Sequence, residues 1–185
     1  MPISRLLVGE RVRLTAIRPE DIAVVARWYE DSEYVRLLDG TPAYPRTEAQ
    51  ISRFLLEESG KESFVFAIRP KDDERLIGTV DLSGILWTHG ISWLGIGIGR
   101  EFQGQGYGYE VMQLVLAFAF KELNLHRVQL TVFSYNERAI ALYEKLGFVR
   151  EGTYREALHR DGQRHDTLLY GILRHEWEAR NSQQP

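Results

Sequence analysis

Residues 94–108 constrain this chain more than any other stretch. The first part alternates: Leu94, Ile96 and Ile98 fall on one face of a strand, Gly95, Gly97 and Gly99 on the other. Glycine weakens a strand, so three in alternation need a reason. Two readings stay open: close packing of a helix or an aromatic ring on the bare face, or a ligand chain lying along the backbone. The second part, Gln103, Gly104, Gln105, Gly106, Tyr107 and Gly108, runs into a helix. Such a turn exposes unpaired N–H groups at the positive end of the helix dipole, and glycine has no Cβ to keep a phosphate away. No Gly-Lys-Ser/Thr follows, so it is not a Walker A loop, and its glycine spacing is poor for a dinucleotide fingerprint. A purely structural turn remains open on the residues alone.

Around this stretch the chain reads as one α+β domain over residues 1–185, with a frayed end at 179–185. Residues 11–17 alternate as a first strand, and 19–29, 32–38 and 47–58 read as helices. Strands follow at 63–68, 76–86 and 92–99, then a long, weakly charged helix at 106–123. A β-branched strand at 127–133 leads to a helix at 137–146, with Asn136 as N-cap and Gly147 as its stop. Residues 148–158 and 166–173 form a closing hairpin around Asp161 and Gly162. That order gives a mixed sheet with flanking helices.

Composition excludes several classes. The 185 residues contain no cysteine, which removes disulfides, thiolate-bound zinc, iron–sulfur ligation and a cysteine acyl-enzyme. No metal site is read. Lys+Arg 23 against Asp+Glu 26 gives a net charge of −3, against a nucleic-acid or anionic-membrane partner. The longest apolar-rich stretch, 111–120, is too short to span a bilayer. Arg5, Glu10, Arg11 and Arg13 stand where a secretory signal needs an apolar run, so a cytoplasmic chain is expected.

A second segment matters for function. Tyr143 lies seven residues beyond Asn136, about two helical turns, and shares a face with Ala139, Ile140 and Leu146. Periodicity alone favours a cap and a core aromatic. Taken with the glycine loop, however, the run Asn136, Ala139, Leu142, Tyr143, Gly147 and Phe148 resembles the GCN5-related N-acetyltransferase (GNAT) superfamily. Residues 124–127, 147–152 and 160–166 are similar to the branch containing ribosomal-protein alanine N-acetyltransferases and spermidine N-acetyltransferases.

The resemblance implies a mostly antiparallel central sheet, splayed between the strand before the glycine loop and the next strand. It implies acetyl-CoA as cosubstrate. The pantetheine arm would lie along Ile96, Gly97 and Ile98, with room left by the bare glycine face. The pyrophosphate would rest on the amides of Gln103, Gly104, Gln105, Gly106, Tyr107 and Gly108, and Asn136 would bond the pantetheine. Arg138 and Lys145 are candidates for the 3′-phosphate, each with a solvated helix face as the plain alternative. Tyr143 would protonate the departing thiolate, with a backbone amide near Ile98 polarising the carbonyl; Ala139 stands where some relatives have a serine. Direct transfer to a primary amine in a ternary complex is expected. The acceptor is a protein or peptide N-terminus, a small-molecule amine or a polyamine, and a homodimer stays open.

The general base is not assigned. Trp93 stands where many relatives carry a glutamate, and Glu151, Asp81, His89, Asp166 or a water relay are the remaining candidates. A site without a strong base suits an α-amine better than a lysine-like amine. Trp28, Trp87, Trp93 and Tyr34 are candidates for an aromatic acceptor pocket, and Glu30, Asp31, Glu33 and Asp39 for a cation-attracting rim; core and solvated-helix roles stand against them. The alternatives to an enzyme are a non-catalytic acyl-CoA-binding module and, more distantly, a nucleotide-binding protein.

Overall fold

The computed structural model describes residues 6–57 and 62–182. Seven strands form one sheet in the order β1-β2-β3-β4-β5-β7-β6. They are β1 (Val12–Thr15), β2 (Phe64–Pro70), β3 (Gly78–Leu86), β4 (Ile91–Ile98), β5 (Arg127–Phe133), β6 (Val149–Arg160) and β7 (Gln163–Leu173). Every neighbouring pair is antiparallel except β4 and β5. The mixed, mostly antiparallel sheet expected from the sequence is what the chain forms.

Helices cover both faces. On one side lie α1 (Pro19–Trp28), α2 (Ser32–Leu38) and α3 (Glu48–Ser52), the last continued by a wider π turn over Arg53–Glu57. Their starts are set locally: the Asp21 carboxylate accepts from the Arg18 N–H at 2.8 Å, Asp31 from the Glu33 N–H at 2.9 Å, and Thr47 Oγ1 from the Gln50 N–H at 3.3 Å. Ile22, Val25, Trp28, Tyr34, Val35 and Ile51 make that layer's core. On the other side α4 (Tyr107–Ala117), extended by a π turn over Phe118–Glu122, and α5 (Glu137–Leu146) press Val111, Met112, Val115 and Leu146 onto Leu14, Val80, Leu82 and Leu94. A further helix, α6 (Arg174–Asn181), caps this side with buried Trp177. The sequence reading lacked it and assigned 179–181 to a loose end. Arg5, Glu58 and residues 183–185 lie outside the described residues.

One irregularity positions the site. β4 and β5 pair only at Ile91 with Arg127, Ser92 with Val128 and Trp93 with Gln129. Beyond Trp93 the two strands diverge, and β4 keeps its ladder to β3 alone. The Gly99 N–H donates to the Ile77 carbonyl at 3.0 Å, on the β3 side. Strand groups alternate in direction, so the N–H and C=O of Ile96 and Ile98 turn towards the opening.

Candidate functional site

The opening between β4 and β5 is a cavity of about 370 Å3. Ile96, Gly97 and Ile98 form one wall, and Asn136, Ala139, Leu142 and Tyr143 of α5 the opposite one. The glycine loop closes one end and Tyr34, Leu37 and Leu38 of α2 the other. Of the residues that the resemblance assigns to the donor and to proton transfer (Ile96, Gly97, Ile98, Gln103 to Gly108, Asn136 and Tyr143), only Gln105 is missing from the lining; its side chain donates to the Glu101 carbonyl at 3.0 Å.

The loop has the conformation that an anion cradle needs. Gly104 and Gly106 have φ of 78° and 84°, the left-handed region that side chains other than glycine rarely adopt. This turn leads into the α4 N-terminus, where backbone N–H groups have no carbonyl four residues back. The Gln103 N–H is used, donating to the Arg100 carbonyl at 3.3 Å, whereas those of Gly104, Gln105 and Gly106 find no partner among the described residues. Such a run of free N–H groups makes a concave surface for phosphate.

Three side chains brace the loop. Gln103 Nε2 donates to the Ile98 carbonyl at 2.8 Å, while its Oε1 accepts from Arg138 Nη1 at 3.2 Å. Gln103 therefore ties the end of β4 to α5 across the opening. The Arg138 guanidinium reaches to 4.0 Å from where a Gly104 Cβ would stand. From the far end of the chain Arg11 donates to the Gln105 carbonyl at 2.8 Å. The sequence carried no signal for Arg11, which meets the loop across 94 positions. Lys145 is placed elsewhere: its Nζ stands 4.7 Å from the Tyr109 ring centroid, beside a neighbouring cavity.

Asn136 is both cap and wall. Its Oδ1 accepts from the Ala139 N–H at 3.2 Å, and the residue lines the cavity. Tyr143 packs against Phe148 and Tyr170 at ring separations of 5.9 and 6.5 Å. Its hydroxyl makes no hydrogen bond among the described residues. No side-chain polar atom there is both sealed from solvent and unpartnered, so the hydroxyl opens onto the cavity. Burial pushes its pKa up to about 12, above the ordinary tyrosine value. The phenol is therefore a firm proton holder and hydrogen-bond donor at neutral pH.

The bare glycine face is filled, by close packing. A Cβ on Gly99 would stand 2.7 Å from the Trp28 ring, one on Gly97 2.7 Å from the Tyr34 hydroxyl, and one on Gly95 2.5 Å from Asp81 Oδ1. The glycines admit α1 and α2 to the sheet, and the open space lies instead in the plane of the sheet, where β5 departs. Tyr34 is the one aromatic acceptor-pocket candidate that lines the cavity; Trp28 is buried under Gly99, and Trp87 and Trp93 are exposed elsewhere.

None of the four base candidates lines the cavity. Glu151 is held by Arg127 through two hydrogen bonds, one of 2.6 Å, which keep its carboxyl below the usual range. Asp166 accepts from the Glu156 N–H at 2.8 Å. His89 lies in the turn before β4, at the other end of that strand. Asp81 lies against Gly95, which is not part of the lining. Three of the four acidic-rim candidates are paired: Arg100 meets Asp31 at 3.1 Å and Glu33 at 2.7 Å, and Arg46 meets Asp39 at 3.4 Å, while Glu30 is exposed with no ion pair among the described residues.

Comparison with known proteins agrees with this geometry. Residues 11–149 match the family model for the acetyltransferase (GNAT) domain. Over 170 residues the chain is 31% identical to the SPbeta prophage-derived uncharacterized N-acetyltransferase YokL of Bacillus subtilis (strain 168), covering 92% of this chain and 94% of that protein. It is 24% identical over 179 residues to the [ribosomal protein uS5]-alanine N-acetyltransferase of Escherichia coli (strain K12), covering 92% of each. A solved structure of Vibrio cholerae spermidine N-acetyltransferase in complex with CoA and spermine aligns with a TM-score of 0.83 at 24% identity, covering 92% of this chain and 99% of that one. This last likeness is one of fold. Among the described residues no helix is long and apolar enough to cross a membrane, and no cluster of His, Asp or Glu could hold a metal ion.

Proposed function

The chain belongs to the GNAT acetyltransferase domain family, and on that premise we propose that it moves an acetyl group from acetyl-CoA to a primary amine by direct transfer in a ternary complex. One observation carries the reading: β4 and β5 part to open a cavity with a cradle of free loop amides at one end and an unpartnered phenol, Tyr143, in its wall. The fit to a long thioester follows from that layout. The amides of Gly104, Gln105 and Gly106, with Arg138 beside them, would hold the diphosphate. The outward N–H of Ile98, whose carbonyl already accepts from Gln103, would pair with a pantetheine carbonyl as a strand edge does, and Asn136 would add a bond at the start of α5. Acetyl-CoA supplies an acetyl group already activated as a thioester.

The chain's own groups then act in turn. The Ile96 N–H, turned to the opening and farther from the diphosphate cradle than Ile98, donates to the carbonyl oxygen as negative charge grows there. The neutral amine nitrogen attacks the carbonyl carbon; the C–N bond forms, the C–S bond breaks, and the electron pair goes to sulfur. Tyr143 donates its hydroxyl proton to that sulfur and is reprotonated from solvent, while the surplus proton on nitrogen leaves to water. A phenol at about 12 is a weak acid for a thiol of ordinary pKa. The same desolvation raises the thiol too, since burial disfavours any anion, and brings the two closer. With no cysteine in the chain and no serine in the cavity lining, no covalent acetyl-enzyme is invoked.

Titrating CoA into the protein by calorimetry, and following thiol release from acetyl-CoA with a panel of amines, tests the reading. Binding together with amine-dependent thiol release is expected; no heat at millimolar CoA refutes it.

A further inference from the structure

We propose that the acceptor is the N-terminal α-amine of a peptide and that polyamines are discriminated against; this rests on the acetyl-transfer reading above. The acceptor must enter at the α2 end, because the loop end is where the donor's diphosphate is held. At the α2 end the walls are Leu37, Leu38 and the ring of Tyr34. Among the described residues no Asp, Glu or His lines the cavity, and its one charged side chain is the cation Arg138. A triamine or tetraamine brings further ammonium groups besides the reacting nitrogen. Setting one against two leucines without a carboxylate leaves a charge partly desolvated and unpaired.

The carboxylates near that mouth do not supply the missing partner. Asp31 and Glu33 share Arg100, Asp39 faces Arg46, and Asp161 holds Arg36 at 2.7 Å. None of these carboxylates lines the transfer cavity, so a polycation meets them only in solvent outside it, where pairing is weak.

Proton chemistry points the same way. The two phenols at the acceptor end, Tyr34 and Tyr143, are both held above the ordinary tyrosine value by burial, so neither accepts a proton at neutral pH. Asp81 stands over Gly95, outside the lining. The amine must therefore arrive neutral. At pH 7.4 an α-amine with a pKa near 7.7–8.0 is neutral in about a quarter of molecules, and an alkyl amine near 10.4 in about one in a thousand, a difference of about 200-fold.

Room beyond the first residue favours a peptide over a free amino acid. Leu37 is also a wall of a second cavity of about 340 Å3, shared with Glu33, Arg36, Tyr135, Arg160, Asp161 and His165, where Glu33 pairs with Arg100 and Asp161 with Arg36. Arg160 donates to the carbonyls of Arg36 at 2.7 Å and Asp39 at 2.5 Å, fastening the β6–β7 turn to α2. A chain passing Leu37 enters a preformed groove.

The test uses the full chain, acetyl-CoA and thiol release with four acceptors: a lysine-free peptide amide starting with alanine, an Nα-blocked peptide carrying one lysine, spermidine and spermine. The alanine peptide is expected to exceed each of the others at least tenfold in kcat/KM. Equal rates, a polyamine preference, or CoA binding with no transfer to the alanine peptide overturns the inference. Calorimetry with CoA on the same preparation separates the two readings: without CoA binding the acetyl-transfer reading falls first and this one with it. Leu37→Glu places a carboxylate at the mouth and is expected to shift the spermidine-to-peptide ratio at least fivefold towards spermidine. An unchanged ratio in a variant that melts like the parent contradicts the placement of the acceptor beside α2.

Discussion

Replacing Tyr143 by phenylalanine removes one oxygen atom from the cavity wall and little else. The hydroxyl has no hydrogen-bond partner among the described residues, and the ring keeps its contacts with Phe148 and Tyr170. Stability at pH 7 is therefore expected to change by less than about 0.5 kcal/mol, as for substitutions that break no packing or buried bond. Turnover is expected to fall about 10²-fold or more, the range for loss of a positioned proton donor. CoA affinity stays within about threefold, because the diphosphate cradle is untouched. Alkaline pH gives a second readout. The folded-state pKa of about 12 lies above the unfolded value near 10, so the unfolded chain releases this proton first as pH rises. The parent therefore loses about 2–3 kcal/mol of stability between pH 10 and 12 that the Phe variant keeps, and below pH 10 the two have the same pH slope at this site. Thiol-release kinetics, calorimetry and urea melts across that range make the measurement. A Phe variant with unaltered kcat, or one whose lost turnover tracks lost folding, would refute the assignment.

Other outcomes follow from the packing and the charges. Gly99→Ala drives a Cβ to 2.7 Å from the buried Trp28 ring, and is expected to cost about 1–3 kcal/mol in a urea melt; a neutral result would mean α1 can lift from β4 freely. Asp21→Ala strands the buried Arg69 guanidinium, which Asp21 contacts at 2.7 Å, and should cost about 3–5 kcal/mol without altering the KM of the remaining folded enzyme. Arg138→Gln keeps a polar contact to Gln103 but removes the cation beside Gly104. CoA affinity should drop about 3–10-fold in low salt and less in high salt; a salt-independent loss would argue against a charge effect.

Local signals in the sequence carried much of this architecture. Alternation marked the strands, and Asn136, Gly147 and the Asp161-Gly162 turn set boundaries that the structure keeps within three residues, the last strand starting at Gln163 rather than at Asp166. α6 escaped because Arg174–Asn181 is strongly polar and buries one aromatic, Trp177, leaving no apolar periodicity to read. The glycine loop was legible because positive φ demands glycine, a constraint visible in one dimension. The meaning of Gly95, Gly97 and Gly99 was not, since alternation shows that a face is bare but not whether Trp28, Tyr34 and Asp81 or a ligand fills it. Arg11 under the loop and the arginines that neutralise Asp31, Glu33 and Asp39 depend on contacts between distant segments, and no spacing rule predicts these. The raised pKa of Tyr143 likewise comes from burial, which its position on α5 alone does not fix.

A crystal structure of the protein with CoA bound is the decisive observation. The account predicts phosphate oxygens on the N–H groups of Gly104, Gln105 and Gly106, a chain running beside Ile96, and the sulfur within hydrogen-bonding reach of the Tyr143 hydroxyl. Phosphates seated away from that loop, or a sulfur emerging on the far side of β4 from Tyr143, would contradict it.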